Sequence, residues 1–287
     1  MRQFAAFACI DWSGAVGECM PSIAVAVTNG AVDVDLLQRE RGWSRRAVLD
    51  WLRSLADSGA DMLIGVDLSP GFPFVDQAGY FPGWDQSPLD APALWSLVEH
   101  ICADDPHFAA SSFVDHSEAR RHFRHSSGSG DMFPGGAGRM RACELGQGAM
   151  GLRPSSCFNL VGAAQVGKSS LTGMRVFHHL GGAIPFWPFD PLPDRGPCLV
   201  EIYTSLAARA AGVPAGRSKM RDAAALNAAL SALDAKARVP EPLSDHASDA
   251  LVAAAWLRAS AGQTNLWHPD RMTDDIRRTE GWTFGVI

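Results

Sequence analysis

The segment SDHASDALVAAAWLR, residues 244–258, predicts a buried helix that begins with a polar, acidic turn. Ser244 is a suitable N-cap, because its hydroxyl can accept a hydrogen bond from an unpaired N–H group of the first turn. Asp245 follows at the position where the positive end of the helix dipole favours an anion. The apolar side chains beyond it, such as Leu251 and Trp256, indicate that the helix lies mostly in the core.

Three ionisable side chains occupy the first turns of this predicted helix. His246 and Asp249 are three positions apart, and Asp245 and Asp249 are four apart, so all three project from neighbouring positions on one face. A carboxylate at the start of a buried helix needs a cap, a cation or a metal as its partner. The segment therefore fits either a capped helix that carries a solvated acid or a helix that supplies metal ligands.

Length and composition are those of a globular protein. The chain has 287 residues, of which 47% are hydrophobic and 20% charged, and this is enough for a real core. No apolar run approaches the length of a membrane span, and a strand pattern stands where a signal peptide would be. We therefore expect a cytoplasmic protein with no membrane partner. The net charge of −6 excludes a molecule that is basic as a whole, so any nucleic-acid contact needs a local basic patch.

The six cysteines are scattered along the chain and form no C-x-x-C pair. Several of them lie in apolar runs that resemble strands. Isolated cysteines in such runs are typical of reduced, buried thiols. The sequence therefore predicts neither a disulfide framework nor a structural zinc site.

Two apolar runs predict buried strands that are each followed by an acid. Residues 4–10 (FAAFACI) and 62–66 (MLIGV) show no polar alternation, which is typical of strands covered on both faces. Asp11 follows the first run and Asp67 follows the second. Between them, strand patterns at 22–28 and 32–37 flank an Asn-Gly pair that indicates a hairpin, and an amphipathic helix pattern follows.

Glu201 lies inside a further apolar strand pattern, residues 198–202. A charge in such a run either pairs with another group or serves a site. If the first strand is central, the later strands lie beside it and the last helix packs over them. Four carboxylates could then converge: Asp11, Asp67, Glu201 and Asp249.

Converging carboxylates indicate a divalent cation. Carboxylates that share a small space repel one another unless a cation neutralises them. Magnesium or manganese suits a set of ligands that are all oxygen. Two such ions about 4 Å apart would clamp the attacking water and the leaving oxygen of a phosphodiester. His246, beside Asp249, could add a ligand or manage a proton.

Residues 68–155 are rich in proline and glycine and predict a largely irregular insertion over this site. Helices are expected within it at 94–102 and 117–125. The second of these carries three arginines, with three histidines in or beside it, and Arg139 and Arg141 follow. This cationic segment fits either a solvated surface or a mobile lid that touches phosphates, and its histidine spacing matches no metal pattern.

Residues 162–170, GAAQVGKSS, satisfy the pattern G-x-x-x-x-G-K-[ST]. That pattern is typical of a loop whose N–H groups surround phosphates, with the lysine, here Lys168, on the terminal ones. The context is less suitable, because the preceding strand is short and Gly173 predicts that the following helix is interrupted after one turn. Nucleotide hydrolysis or phosphotransfer through Lys168 is therefore an alternative function.

The whole chain resembles a known bacterial family. The final helix resembles that of RuvC-type Holliday-junction resolvases, in which an acid or a histidine stands three residues before an aspartate that is followed by Ala-Leu. More closely, nearly the full length resembles the domain-of-unknown-function 429 family of predicted ribonuclease H-like nucleases. The matching stretches are IDWSG (10–14), VDLSPG (66–71), GAAQVGKSSLTGM (162–174), WPF (187–189), VEIY (200–203), DHASDALVAAA (245–255) and EGW (280–282).

This resemblance implies a fold. It implies an α/β, ribonuclease H-like domain that spans residues 1–287. The central sheet would be mixed, with an antiparallel hairpin and with helices on both faces. The insertion at 68–155 would follow the fourth strand and lie over the site.

The resemblance also implies a site and a reaction, the metal-dependent hydrolysis of phosphodiester bonds in DNA or RNA. Asp11, Asp67 and Asp249 would bind Mg²⁺ or Mn²⁺, and Glu201 and His246 would be secondary catalytic residues. The family pattern does not require the lysine of the glycine-rich loop. Thr204 is a departure from the pattern, because a proline is expected at that position.

A non-catalytic function is the other alternative. A ribonuclease H-like protein could bind nucleic acid or another protein without cutting. The acidic net charge favours this reading, because nonspecific affinity for nucleic acid normally needs a cationic surface. A resolvase-type enzyme would act as a dimer, and no dimerisation pattern is visible in the sequence.

Overall fold

A computed structural model describes residues 2–162, 165–214 and 220–287. Its strands are β1 (Ala6–Asp11), β2 (Ala24–Thr28), β3 (Asp33–Leu36), β4 (Met62–Asp67), β5 (Arg124–His125), β6 (Gly128–Ser129), β7 (Phe186–Trp187), β8 (Cys198–Glu201) and β9 (Lys236–Ala237). Seven of them form one sheet in the order β7-β8-β4-β1-β2-β3-β9, and β5 and β6 form a separate pair. β1 is antiparallel to β2 and parallel to β4, which is parallel to β8. The predicted mixed sheet with its antiparallel hairpin is confirmed.

Helices cover both faces of the sheet. They are α1 (Arg45–Ser58), α2 (Ala91–Ile101), α3 (Ser111–Asp115), α4 (Ala142–Ala149), α5 (Val166–Leu180), α6 (Thr204–Ala210), α7 (Ala223–Ser231), α8 (Asp245–Ser260), α9 (Thr264–Trp267) and α10 (Asp274–Thr279), with 3-10 turns at Pro106–Phe108 and Ala119–His122. Apolar side chains of α1 and α5 pack on one face, and those of α6, α7 and α8 pack on the other. None of the described helices is both long enough and apolar enough to cross a membrane.

The helix predicted from the segment at 244–258 is α8. Ser244 caps it, since its Oγ accepts from the Ala247 N–H at 3.1 Å. Asp245 receives the cation that its position requires, because the Arg221 guanidinium donates to both of its carboxylate oxygens at 2.8 and 2.9 Å. Residues 247–257 are all buried, as expected for a helix that is apolar on every side. α8 therefore lies directly over β1 and β2.

Residues 68–155 are more ordered than their composition predicts. They contain α2, α3 and α4, and their aromatic side chains form a third core cluster around Phe72, Phe81 and Phe123. The helix predicted at 117–125 is wrong, because only the 3-10 turn at Ala119–His122 forms. The helix does not continue beyond this turn, because the Arg124 N–H donates to the Phe158 carbonyl at 2.9 Å.

α5 continues through Gly173, so the prediction of an interruption after one turn is wrong. A Cβ at this position would lie 2.3 Å from the Leu68 side chain. The glycine therefore allows α5 to pack closely against the loop that follows β4, and tertiary packing outweighs its poor helix propensity. Two residues of the preceding glycine-rich loop, Ala163 and Ala164, lie outside the described residues.

All six cysteines are free, as the sequence predicts, and all but Cys19 are buried. Burial raises the pKa of Cys9, Cys143 and Cys157. A thiol with a raised pKa is mostly protonated and therefore a weak nucleophile at neutral pH. These cysteines consequently act as small core side chains.

Candidate functional site

Three aspartates come together at one end of the sheet. Asp11 and Asp67 end the parallel strands β1 and β4 and are paired in their ladder. Paired residues of neighbouring strands point to the same face, about 4.8 Å apart. Asp249, in the second turn of α8, lies over that face, and the charges of Asp11 and Asp249 both act on Asp67.

The pKa of Asp67 is raised well above its usual range. Burial is the largest cause, followed by the negative charges of Asp11 and Asp249. Hydrogen bonds from Thr204 oppose this shift only in part. Cys9 lies two residues before Asp11, and the same three aspartates help to raise its pKa after burial. The cluster therefore places three carboxylates close together where water has little access.

His246 connects the cluster to solvent. Its Nδ1 lies 2.5 Å from Oδ2 of Asp11. The Asp11 side chain is 7% exposed, whereas that of His246 is 39% exposed. Because the first turn of α8 holds the imidazole at this rim, His246 can exchange protons with water while it contacts a buried carboxylate.

Thr204 contributes to the site in a way that the sequence did not reveal. Its Oγ1 donates to Oδ2 of Asp67 at 3.0 Å, and its backbone N–H lies 3.4 Å from Oδ1. A proline at this position would have neither donor. The one available signal was that Thr204, three residues after the end of β8, departs from the pattern that the sequence otherwise resembles.

Glu201 does not join the three aspartates. It is paired with Val66 in the β4–β8 ladder, one position before Asp67, so its side chain leaves the opposite face of the sheet. Its carboxylate accepts from both terminal nitrogens of Arg141 at 2.5 and 2.8 Å, and from Oγ1 of Thr283 at 2.8 Å. The predicted strand acid therefore belongs to a buried ion pair.

Arg141 is the centre of a network that ties the insertion to the end of the chain. It also donates to Glu144 at 3.0 Å and to the backbone carbonyl of Glu280 at 3.0 Å. The Glu280 carboxylate accepts from the backbone N–H groups of Phe74, Val75 and Ala142 at 2.7 to 2.9 Å. Arg141 is thus buried and neutralised, although the sequence fits a solvated surface or a lid at this position.

A pocket of about 380 Å³ opens beside Asp67. Ser13, Ser69 and Tyr203 line it, together with Lys168 from the first turn of α5. The loop after β1 packs tightly here, because a Cβ on Gly14 would lie 2.5 Å from the Ser169 nitrogen. A substrate in this pocket would touch Asp67 from the cluster and Lys168, and the buried Arg141 also lines the wall.

The context of Lys168 differs from that of a phosphate-binding loop. Such a loop follows a strand of the central sheet. Here the residues before Gly162 pair through a single bridge between Asn159 and Arg124, and β5, which contains Arg124, is outside the seven-stranded sheet. The sequence match is therefore not accompanied by the expected strand.

Within the three described ranges, no group of three or more His, Cys, Asp or Glu side chains is placed to hold a metal ion. Comparisons with protein-family models, with curated proteins and with solved structures find no match. The chemistry of the site therefore has to be inferred from its own groups. The site consists of three buried or partly buried carboxylates and an exposed imidazole, and a pocket lies beside them.

Proposed function

We propose that this protein is a ribonuclease H-like, metal-dependent hydrolase of phosphodiester bonds. The observation that carries the proposal is the convergence of Asp11, Asp67 and Asp249 from two parallel strands and one long helix. The sheet supports the fold assignment, because β1 is central, a hairpin lies on one side of it and β4 and β8 lie on the other. α8 packs over β1, as expected if the first strand is central.

The cluster fits Mg²⁺ or Mn²⁺ in its chemistry. All three donors are carboxylates, and hard divalent cations prefer oxygen ligands. A bound cation would offset the repulsion that raises the pKa of Asp67 and would stabilise negative charge on a phosphodiester under attack. The side chains of Asp11, Asp67 and Asp249 would have to rotate toward a common point, since their present positions do not form a ligand group.

The other residues have supporting roles in this proposal. Thr204 orients the Asp67 carboxylate through its hydroxyl. His246 holds Asp11 through Nδ1, so proton exchange with substrate or water would take place at Nε2. Lys168 lines the pocket next to Asp67, where its ammonium would face a phosphate of the nucleic acid.

Metal binding tests the site directly. Calorimetric titration with MnCl₂ should show binding to the wild type and none to Asp11→Ala, because the cluster loses a ligand that no neighbour replaces. Asp50→Ala is the matched control, since Asp50 is an exposed aspartate on α1. Binding that is unchanged in Asp11→Ala would contradict the assignment of the cation to this cluster.

A nuclease assay tests the reaction. RNA, single-stranded DNA and branched DNA should be screened with Mg²⁺ and Mn²⁺, using the wild type, Asp11→Asn and Asp249→Asn. We expect divalent-dependent cleavage of one substrate class by the wild type alone. Equal cleavage by all three proteins would exclude these carboxylates, and salt-sensitive binding without turnover would favour a non-catalytic protein.

Nucleotide hydrolysis through Lys168 is the second candidate. The observation in its favour is that Gly162, Lys168 and Ser169 all line the pocket that contains Asp67. The residues before Gly162 do not form a strand of the central sheet, and this disfavours nucleotide hydrolysis through Lys168. ATP binding that is lost in Lys168→Ala and retained in Asp11→Ala would support this candidate over the nuclease.

A further inference from the structure

A second cavity, of about 450 Å³, lies beside α1 and α5, on the face of the sheet away from α8. Arg45 and Arg46 from the first turn of α1 line it, as do Arg175 from α5 and His107 and Phe108 from a 3-10 turn. No residue of the aspartate cluster contributes to this wall. The cavity is therefore separate from the candidate active site.

Arg45 is a buried cation without a carboxylate partner in the described part of the chain. Its side chain is almost fully buried, with a relative exposure of 1% for the residue. Its guanidinium donates to three backbone carbonyls, those of Ser13 at 2.8 Å, Ala15 at 2.6 Å and His107 at 3.0 Å. Carbonyl groups satisfy the donors but do not neutralise the charge, and a buried charge is costly without a counter-charge.

The acids of the wall are already engaged elsewhere or exposed. Glu99 pairs with Arg175 at 2.6 Å and contacts His179 at 2.9 Å. The Asp105 carboxylate accepts from the backbone and hydroxyl of Ser112 at 2.8 and 2.6 Å. The third acid, Glu18, is exposed. The positive charge of Arg45 is therefore not offset by these groups.

Arg46 adds a second cation at the same place. It is exposed, and its guanidinium lies 5.0 Å from the centre of the Phe108 ring. No carboxylate of the described ranges forms an ion pair with it. The first turn of α1 contains these two arginines and no acid, although the positive end of a helix dipole disfavours cations.

The backbone of the facing turn is also in an uncommon conformation. His107 and Phe108 have φ angles of 56° and 54°. Side chains other than glycine rarely adopt such angles, because the Cβ crowds the backbone. Residues in such conformations cluster at binding sites, where the surrounding structure imposes them. The cavity wall thus contains both cations at a helix N-terminus and residues with positive φ angles, and such departures from local preference are typical of functional sites.

We propose that this cavity binds a phosphate group, which contacts Arg45 and Arg46 at the N-terminus of α1. The exposed guanidinium fork of Arg46 matches the oxygens of a phosphate, and the free N–H groups of a helix N-terminus also favour an anion. Arg45, whose N–H groups already donate to backbone carbonyls, adds positive charge to the cavity wall. The volume admits inorganic phosphate or a phosphate that is carried by a nucleotide or an oligonucleotide. The bound anion would supply the counter-charge that Arg45 lacks.

Calorimetry on the intact protein tests the proposal. The probes are inorganic phosphate and one short oligonucleotide with either a 5′-phosphate or a 5′-hydroxyl, titrated with EDTA present and with chloride holding the ionic strength constant. Arg46→Met is the test variant, because Arg46 is exposed and its loss leaves the core intact. Arg41→Met is the matched control, since it removes another exposed arginine from the segment before α1.

We expect the wild type and Arg41→Met to bind phosphate equally, and Arg46→Met to bind it about tenfold more weakly or worse, as expected for loss of a charge-assisted hydrogen bond. Tighter binding of the 5′-phosphorylated oligonucleotide would identify a terminal phosphate as the source, and equal binding of both oligonucleotides would identify the phosphodiester backbone. Absence of binding by the wild type, or equal binding by Arg46→Met, would overturn the proposal. Asp11→Asn should bind normally, so failure here is distinguishable from failure of the nuclease assignment.

Discussion

Replacing Asp67 by asparagine should stabilise the metal-free protein. Asp11 and Asp67 are paired on neighbouring parallel strands, so their carboxylates lie about 5 Å apart. At an effective dielectric constant of about 20, two such charges repel by about 3 kcal/mol. Asparagine has nearly the same shape: its oxygen can accept from the Thr204 backbone N–H, and its amide nitrogen can donate to the Thr204 hydroxyl or to Asp11.

The full repulsion is an upper bound, because protonation of the wild-type carboxyl relieves part of it. We therefore expect the free energy of unfolding of Asp67→Asn to exceed that of the wild type by about 1 to 2 kcal/mol near neutral pH. For a protein of this size the midpoint of thermal unfolding should rise by about 2 to 6 °C. Substitutions of buried polar residues usually lower stability, so the sign of the change is diagnostic.

The pH dependence follows from the raised pKa of Asp67. In the unfolded chain an aspartate has a pKa of about 3.9. Between that value and the raised pKa, the folded protein binds more protons than the unfolded chain, so the free energy of unfolding falls as the pH rises. Asp67→Asn cannot titrate and should lose this decline. The two proteins should be similar near pH 4 and separate above it.

Thermal and urea unfolding in EDTA, at several values between about pH 4 and pH 8, measures both effects. Asp50→Asn controls for the loss of one negative charge at an exposed position. The reasoning is refuted if Asp67→Asn is less stable than the wild type at the upper end of this range. It is equally refuted if the variant keeps the wild-type slope of stability against pH.

Three further substitutions test other parts of the structure. Glu201→Gln should lower the free energy of unfolding by about 2 to 3 kcal/mol in urea, because it removes the carboxylate that accepts from both terminal nitrogens of buried Arg141 and leaves Glu144 as its remaining carboxylate partner. A small effect would mean that water reaches this pair. Thr204→Val removes the hydroxyl that donates to Asp67 and should raise the pKa of that carboxyl further. The pH at which Mn²⁺ binds should therefore shift upward, whereas Thr204→Ser, which keeps the hydroxyl, should not shift it. Gly14→Ala should destabilise by about 1 to 3 kcal/mol, because its Cβ would press on the backbone of α5, and unchanged thermal stability would show that this loop can move aside.

The aspartate cluster was predictable because buried strands have a simple sequence pattern. Continuous apolar runs ended at Asp11 and before Asp67, and parallel strands of similar length place their ends at the same edge. The cap at Ser244 located the start of α8 and hence the turn of the helix on which Asp249 lies. These sequence patterns are local, and the structure contains the strands and the helix cap that they predict.

The position of Glu201 could not be predicted in the same way. Residues on both sides of it are apolar because both faces of β8 are buried, so the pattern does not indicate which face each side chain takes. A shift of one residue in register decides whether the carboxylate meets Asp67 or Arg141. Gly173 shows the same limit for a helix, since its role depends on Leu68, which is more than 100 residues away in sequence.

Arg45 was not recognised from the sequence either. A cation in the first turn of the predicted amphipathic helix is indistinguishable from a solvated side chain when only the pattern is known. Its burial comes from the carbonyls of Ser13 and Ala15, which reach it from the loop after β1. The cavity that it lines therefore exists only once β1, α1 and the 3-10 turn have assembled.

The contacts of Glu280 set an order of events during synthesis of the chain. Its carboxylate is the partner of backbone groups at Phe74, Val75 and Ala142, and the nearest of these along the chain is 138 residues earlier. At translation rates of about 5 to 20 residues per second, Ala142 waits about 7 to 28 seconds for this partner. A nascent chain released or stalled before that point would present unpaired amides and an aromatic cluster to the chaperones that attend the ribosome.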